Sequence, residues 1–302
     1  MKKNAVWIAI LVIFLARPPY EGEAAEKSMI YYSAEEFDTT MDTIKSLDPE
    51  NGKVTTLFES KTGLFGFDVS GDGSIVFSTC PSEKQNDKCI LNLKKGSNIV
   101  TILDHENLFP SDARFSPDGK KICFTGMSNF RASIYLINSD GTGVTMIAEC
   151  CLGGFKGFSC FSSNDTIVFS CIRKGRFGLS SYNLKTTSET RIIDLQDMYS
   201  CEYLSVSADG REIVFKGLSG KQNLISIVQI DGTGLHEVYK FPYEPYTAVM
   251  NPRFSPDGKC IIFSMPVKPS RTMEICRIKA DGSGLQVVTT PDKTHKHTAA
   301  WL

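Results

Sequence analysis

Histidine and cysteine have the most specific chemistry in this chain, because both bind transition metals and cysteine also forms disulfides. The chain contains four histidines, His105, His236, His295 and His297, and ten cysteines. No CxxC motif occurs, and no histidine lies near a cysteine pair at the spacing of metal ligands. We therefore expect no metal site and no cofactor.

The motifs of common enzymes are also missing from the sequence. A serine-hydrolase nucleophile needs the pattern G-x-S-x-G, whereas residues 157–161 read GFSCF and residues 217–220 read GLSG. The HExxH, Walker and dinucleotide-binding motifs are absent as well. The sequence therefore predicts a protein without catalytic activity.

Two cysteine pairs are predicted to form disulfides. Cys80 and Cys89 flank a polar loop between two apolar runs, and Cys260 and Cys276 could face each other across one hairpin. For the remaining cysteines, disulfides and buried free thiols are both open: Cys123, Cys150, Cys151, Cys160, Cys171 and Cys201.

The first 25 residues have the pattern of a secretory signal peptide. MKK precedes an apolar run at 5–16, which is too short to span a bilayer, and small residues follow near 22–25. We expect cleavage, with an uncleaved anchor as the alternative, and no stable membrane span afterwards. Residues 26–302 would then be a single domain, periplasmic or secreted, in a bacterium.

A phrase containing Asp-Gly repeats along the chain and indicates how these residues are positioned. It reads FSPDGK at 115–120 and again at 254–259, with weaker copies elsewhere. The turn residues of the five copies are Asp72, Asp118, Asn164, Asp209 and Asp257. They lie 46, 46, 45 and 48 residues apart, and a period in this range is typical of an array of similar units.

Each unit contains four short apolar runs, which we letter a to d. The repeated phrase joins a to b, and a second phrase, DGTG or DGSG, joins c to d at 140–143, 231–234 and 281–284. Asp-Gly between apolar runs predicts a hairpin, and four antiparallel strands form one blade of a β-propeller. A β-sandwich is the alternative, but it needs no fixed period.

The spacing leaves room for six units, so the predicted fold class is an all-β, six-bladed propeller. The first unit, near residues 29–60, has runs for strands b, c and d but none for strand a. Residues 297–302 match the residues that lead into FSPDG. We expect them to supply the missing strand and to close the ring, which removes two exposed sheet edges.

The pairing of FSPDGK with the downstream IYLINSDGTG at 134–143 resembles the propeller repeat of the TolB family. The resemblance covers almost the whole chain after the first two dozen residues, without the separate N-terminal domain of TolB. It implies a non-enzymatic, exported binding or scaffold protein. Because some similar propellers are metal-dependent lyases for acidic sugars, a lyase with His295 and His297 before the closing strand is the alternative.

Propeller geometry predicts where a partner binds. The a–b and c–d turns lie on one face, here called the Asp-Gly face, and the b–c turns and d–a connections lie on the other, the variable face. Loops that differ on a rigid scaffold are the usual place for recognition. The binding candidates are Phe130, Arg131, Arg173, Lys174, Arg176, Phe177, Lys221, Tyr243, Tyr246, Lys268 and Arg271.

The partner is expected to be anionic, because most of these candidates are basic. It would be a protein of the cell envelope or an acidic saccharide, and solvated charges with no partner are the alternative. The net charge of the chain is −1, so no overall field attracts nucleic acid. We expect a monomer.

Overall fold

The computed structural model describes residues 28–36, 41–80, 89–129, 131–152, 157–242, 250–268, 272–292 and 294–302. These residues form six separate sheets, each of four antiparallel strands, and the predicted six-bladed β-propeller is confirmed. No helix within these ranges has the length and apolar character needed to cross a membrane. The predicted signal peptide lies outside the described residues.

Each blade contains strands a to d in that order from the central axis outward. The first three blades consist of β24 (Thr294–Trp301), β1 (Ile30–Glu36), β2 (Asp42–Leu47) and β3 (Val54–Ser60); β4 (Leu64–Val69), β5 (Ile75–Thr79), β6 (Ile90–Lys95) and β7 (Asn98–Asp104); and β8 (Phe109–Phe115), β9 (Lys121–Ser128), β10 (Arg131–Asn138) and β11 (Thr145–Leu152). The last three consist of β12 (Ser159–Ser163), β13 (Thr166–Arg173), β14 (Arg176–Asn183) and β15 (Ser188–Asp194); β16 (Ser200–Val206), β17 (Glu212–Ser219), β18 (Gln222–Gln229) and β19 (His236–Pro242); and β20 (Met250–Phe254), β21 (Cys260–Val267), β22 (Thr272–Lys279) and β23 (Gln286–Val287).

Strand b of blades two to six contains an apolar run, because neighbouring blades cover both of its faces. In blades two to six the same position of strand b holds a phenylalanine, and each is at most 1% exposed: Phe77, Phe124, Phe169, Phe215 and Phe263. Burying an aromatic side chain contributes about 1.5–3 kcal/mol relative to leaving it exposed. The repeat therefore provides one buried phenylalanine in each of blades two to six.

The repeated Asp-Gly phrase stabilises the a–b turn through its own side chains. In blade three, the Ser116 hydroxyl donates to Asp118 Oδ1 at 2.7 Å, and the backbone N–H of Lys120 donates to the same oxygen at 3.1 Å. Gly119 has a positive φ of 67°, which a glycine adopts without steric cost. The backbone N–H of Ser139 in the c–d turn donates to Lys120 O at 2.9 Å, so both turns lie on one face.

The first glycine of the second phrase also makes a contact between blades. At Gly232, φ is 87°, and a Cβ atom would overlap the carbonyl oxygen of Ile192 in strand d of the preceding blade. Gly282 has the same relationship to Val238 O, which a Cβ would approach to 2.6 Å. The phrase therefore sets both a turn and the spacing of adjacent blades.

The ring closes as the sequence predicts. Strand β24 pairs antiparallel with β1, with Trp301 opposite Ile30. The backbone groups of Met29 and Leu302 exchange hydrogen bonds of 2.7 and 3.1 Å. Trp301 packs against the apolar cluster that contains Ile30 and Tyr32.

Candidate functional site

Among the described residues of the variable face, basic side chains are concentrated at the b–c turn of blade four. Arg173 pairs with Arg176 across the hairpin, and Lys174 and Gly175 form the two-residue turn between them. Both turn residues have positive φ, 52° and 76°, as a type I′ turn requires. The hairpin therefore holds the exposed Lys174 at the tip of a rigid ladder.

Arg173 is fixed to strand d of two blades. Its guanidinium donates to both carboxylate oxygens of Glu189 at 3.1 and 3.0 Å and to the backbone oxygen of Glu149, in blade three, at 3.0 Å. Burial lowers the pKa of Arg173, but the hydrogen bond and charge of Glu189 outweigh this effect and raise it. Arg173 therefore shapes the surface and joins two blades.

Two shallow clefts meet at this turn. One, of about 340 Å³, lies between blades three and four and is lined by Arg131, Glu149, Cys150 and Arg173 among others. The other, of about 630 Å³, is lined by Lys174, Arg176, Glu189, Arg191 and Asp194, together with Arg173. Because Arg173 and Lys174 line both clefts, one extended ligand could contact the two together.

The acidic residues of these clefts each pair with an arginine. Glu149 lies 3.5 Å from Arg131, Glu189 lies 3.0 Å from Arg173, and Asp194 lies 2.6 Å from Arg191. Lys174 and Arg176 are exposed, and neither makes an ion pair with any residue that the structure describes. The clefts therefore have an excess of positive charge at these two side chains.

The other predicted binding residues are more dispersed. Lys221 and Lys268 are exposed on the b–c connections of blades five and six, so they share the variable face but not the clefts. Phe177 is half-buried in β14, opposite Ile172, and presents less aromatic surface than expected. Phe130, Tyr243, Tyr246 and Arg271 lie outside the described residues.

One predicted disulfide is confirmed and the other is wrong. Cys80 and Cys89 are bonded, whereas Cys260 and Cys276 are free thiols. Cys260 stands opposite Lys279, and Cys276 stands opposite Phe263. The cysteines are offset by three residues, an odd number, so their side chains point to opposite faces of the sheet.

The remaining cysteines with described side chains are buried and do not form disulfides: Cys123, Cys150, Cys160, Cys171 and Cys201. The side chain of Cys151 lies outside the described part. Burial raises the pKa of Cys123 and Cys160 to about 12, so both thiols stay protonated at neutral pH.

The predicted place of the two C-terminal histidines is also wrong. Both lie within strand β24, which begins at Thr294 and not at His297. The Nδ1 atom of His295 accepts a hydrogen bond from the backbone N–H of Met273 at 3.1 Å, so His295 contributes to the packing of blade six against blade one.

Among the residues that the structure describes, no group of three His, Cys, Asp or Glu side chains is arranged to hold a metal ion.

Sequence reasoning did not identify Glu149, Glu189 and Arg191 as part of the site. These residues lie in strands d, the outermost strands of their blades, and nothing in the repeat marks them.

Comparison with solved structures shows the fold. TolB from Acinetobacter baumannii matches with a TM-score of 0.76 at 18% identity, over 91% of this chain and 66% of TolB. A chain of the nidogen/laminin complex matches with a TM-score of 0.68 at 10% identity, over 91% of this chain and 97% of that one. Oligogalacturonate lyase in complex with manganese matches with a TM-score of 0.55 at 10% identity, over 86% of this chain and 78% of the lyase.

The chain thus has the TolB-like propeller fold and spans just under two thirds of the length of that TolB. No protein-family model matches the sequence. No curated protein matches it either. TolB, a chain of the nidogen/laminin complex and a lyase all match this propeller, so the fold alone does not decide the function.

Proposed function

We propose that this chain is an exported, non-enzymatic binding protein whose variable face binds an acidic segment of a protein partner in the cell envelope. The observation that carries the proposal is the excess positive charge of Lys174 and Arg176 where the two clefts of blades three and four meet. A TolB-like propeller supports a binding role over a catalytic one.

The clefts favour an extended ligand over a small one. They are shallow, and they are continuous because Arg173 and Lys174 line both. Arginine and lysine side chains bind carboxylates with charge-assisted hydrogen bonds. An acidic peptide presents carboxylates at intervals along a chain, so several can be bound together. An acidic saccharide would do so as well and is the other outcome of the test below.

Export is supported by two features at different places in the chain. The disulfide between Cys80 and Cys89 is stable in oxidising compartments and rare in the cytosol. The pattern of residues 1–25 is that of a signal peptide. Both features are typical of periplasmic and secreted proteins.

The test compares two variants with matched charge changes. Lys174→Glu/Arg176→Glu changes the variable face, and Lys120→Glu/Arg211→Glu changes one lysine and one arginine that are exposed on the Asp-Gly face. Binding of a glutamate-rich peptide and of an oligogalacturonate would be measured by calorimetry at low and moderate salt.

We expect the first variant to bind the peptide at least about tenfold more weakly, with less salt dependence, because two charge-assisted contacts are lost. The control should bind like the wild type. Equal losses in both variants, or none in either, would contradict the proposed site, and preference for the oligogalacturonate would replace the peptide by a saccharide.

A further inference from the structure

Apolar side chains continue one of the basic clefts towards the central axis. The cleft of about 340 Å³ between blades three and four is lined by Ala132 and Ile172 in addition to its charged residues. On the side of blade three, its lining residues belong to strands c and d. Strands b and a of this blade, which lie closer to the axis, therefore determine the surface that an extended ligand would meet next.

The register of the sheet places three apolar residues in one row across strands a, b and c of blade three. Phe109 stands opposite Met127 in the pairing of β8 with β9, and Met127 stands opposite Ala132 in the pairing of β9 with β10. Opposite residues of antiparallel strands project from the same side of the sheet. The three side chains, here called the apolar row, therefore lead from the axis outward to the cleft.

The apolar row is on the side of blade three that faces blade four. Ile134, two residues after Ala132 and therefore on the same side, packs in one buried cluster with residues of blade four. The hydroxyl of Thr125, two residues before Met127, donates a hydrogen bond to the backbone oxygen of Gly157, which leads into strand a of blade four. The apolar row and the cleft thus belong to the same gap between two blades.

The inner part of the apolar row is exposed at the variable face, where β8 begins and β9 ends. Phe109 is 39% exposed, and Met127 is half-buried. Single exposed apolar residues are common on protein surfaces. Phe109 differs from such residues because its row runs into a cleft that has an excess of positive charge at its rim.

We propose that the acidic peptide bound by the clefts carries a large apolar side chain that packs on Phe109 and Met127. This inference rests on the proposed function and adds the residue type that would give specificity, because basic residues alone accept many acidic segments. Neighbouring strands are about 4.8 Å apart, so Phe109 lies about 10 Å inward of Ala132. An extended peptide covers this distance with about three residues.

Calorimetry with three glutamate-rich peptides of equal length and charge tests the inference. One carries phenylalanine near its N-terminus, one carries it near its C-terminus, and one has serine at both places. Both positions are included because a peptide can run along the cleft in either direction. We expect the wild type to bind the better phenylalanine peptide at least about tenfold more tightly than the serine peptide, because burial of an aromatic side chain has an effect of this size.

Three variants separate the apolar contact from the charge. Phe109→Ser should reduce the preference for phenylalanine to about threefold or less. Phe65→Ser is the matched control and should keep the preference, because Phe65 is 48% exposed in the innermost strand of blade two, outside the apolar row. Lys174→Glu/Arg176→Glu should weaken binding of all three peptides and leave the ratio of their affinities unchanged.

Equal affinity of the wild type for the phenylalanine and serine peptides would overturn this inference alone, and that result depends on no variant. Equal loss of the preference in Phe109→Ser and Phe65→Ser would overturn it as well. A preference for phenylalanine without any effect of Lys174→Glu/Arg176→Glu would instead contradict the proposed function. No binding of any of the peptides would overturn both.

Discussion

The Nζ atom of Lys296 lies 3.1 Å from Glu274 Oε2, and the two side chains are only 3% and 0% exposed. Lys296 belongs to the closing strand of blade one and Glu274 to strand c of blade six. Glu274 also accepts hydrogen bonds from Thr272 at 2.8 Å and Thr289 at 2.6 Å. A buried and fully paired carboxylate therefore joins the last blade to the first.

Removing one partner of this pair should be costly. We expect Lys296→Met to lower the free energy of unfolding by about 3–5 kcal/mol, because it leaves Glu274 buried without a counter-ion. Lys296→Met/Glu274→Met should recover most of the loss, since two apolar side chains of similar size need no charge compensation.

Denaturant unfolding of both variants measures this difference. Lys259→Met is the matched control, because Lys259 lies 3.7 Å from Asp257 with its side chain 82% exposed, and it should change stability by less than about 1 kcal/mol. A single variant as stable as the control would show that the buried pair does not stabilise the ring.

The closing strand gives a second prediction. Deleting residues 297–302 removes most of the β24 ladder with β1 and the packing of Trp301. We expect a large fall in Tm, and for Trp301→Ala a loss of about 2 kcal/mol, below the range for a fully buried tryptophan because Trp301 is half-buried. An unchanged Tm after the deletion would contradict closure by this strand.

The a–b turns predict how stability depends on pH. Hydrogen bonds from the Ser70 hydroxyl and the backbone of Ser74 lower the pKa of Asp72 from 3.8 to about 2, and serine hydroxyls likewise lower the pKa of Asp118, Asp209 and Asp257. Because the pKa is lower in the folded state, the stabilisation is complete above pH of about 4 and is lost as the pH falls towards 2.

Asp72→Asn keeps an oxygen acceptor but does not titrate. We therefore expect a shallower loss of stability between pH 4 and pH 2 than in the wild type, with little change at pH 7. Denaturation midpoints across this range measure the slope, and equal slopes would exclude Asp72 from the acid response.

At the b–c turn of blade four, one substitution should increase stability and weaken binding. Lys174 has φ of 52°, a conformation that asparagine adopts more readily than lysine does. Lys174→Asn should therefore raise the free energy of unfolding by up to about 1 kcal/mol and weaken binding of the acidic peptide.

Lys221→Asn is the control for the effect of Lys174→Asn on stability. Lys221 also lies exposed in a b–c turn, but only its neighbour Gly220 has positive φ, so we expect no gain in stability. A gain at Lys221 equal to that at Lys174 would mean that the backbone conformation is not the cause.

The repeat made most of the fold predictable. Asp72, Asp118, Asp209 and Asp257 mark turns that local hydrogen bonds stabilise, so their spacing translates directly into blades. Asn164 marks the fifth turn, and its Oδ1 accepts from the backbone N–H of Asp118 in the preceding blade at 3.0 Å. The match of Trp301 to the residue before the turn likewise predicted the closing strand.

The site was less predictable because its charges act through pairs between strands. The sequence shows Arg173 as one of several basic loop residues, but only the register of strands d reveals that Glu189 pairs with it. The error at Cys260 and Cys276 has a similar origin, since one odd step in register reverses the face of a side chain.

The pairing of β1 with β24 also determines how the ring responds to mechanical load. Ile30 near the start of β1 stands opposite Trp301 at the end of β24, so whatever extends from either end of the described chain emerges at the same edge of blade one. A force that pulls these two ends apart would break the ladder one residue pair at a time, as in unzipping, and would not shear all its hydrogen bonds together. The ring is therefore expected to open under tension first at this seam, before the blades whose four strands are consecutive in the chain.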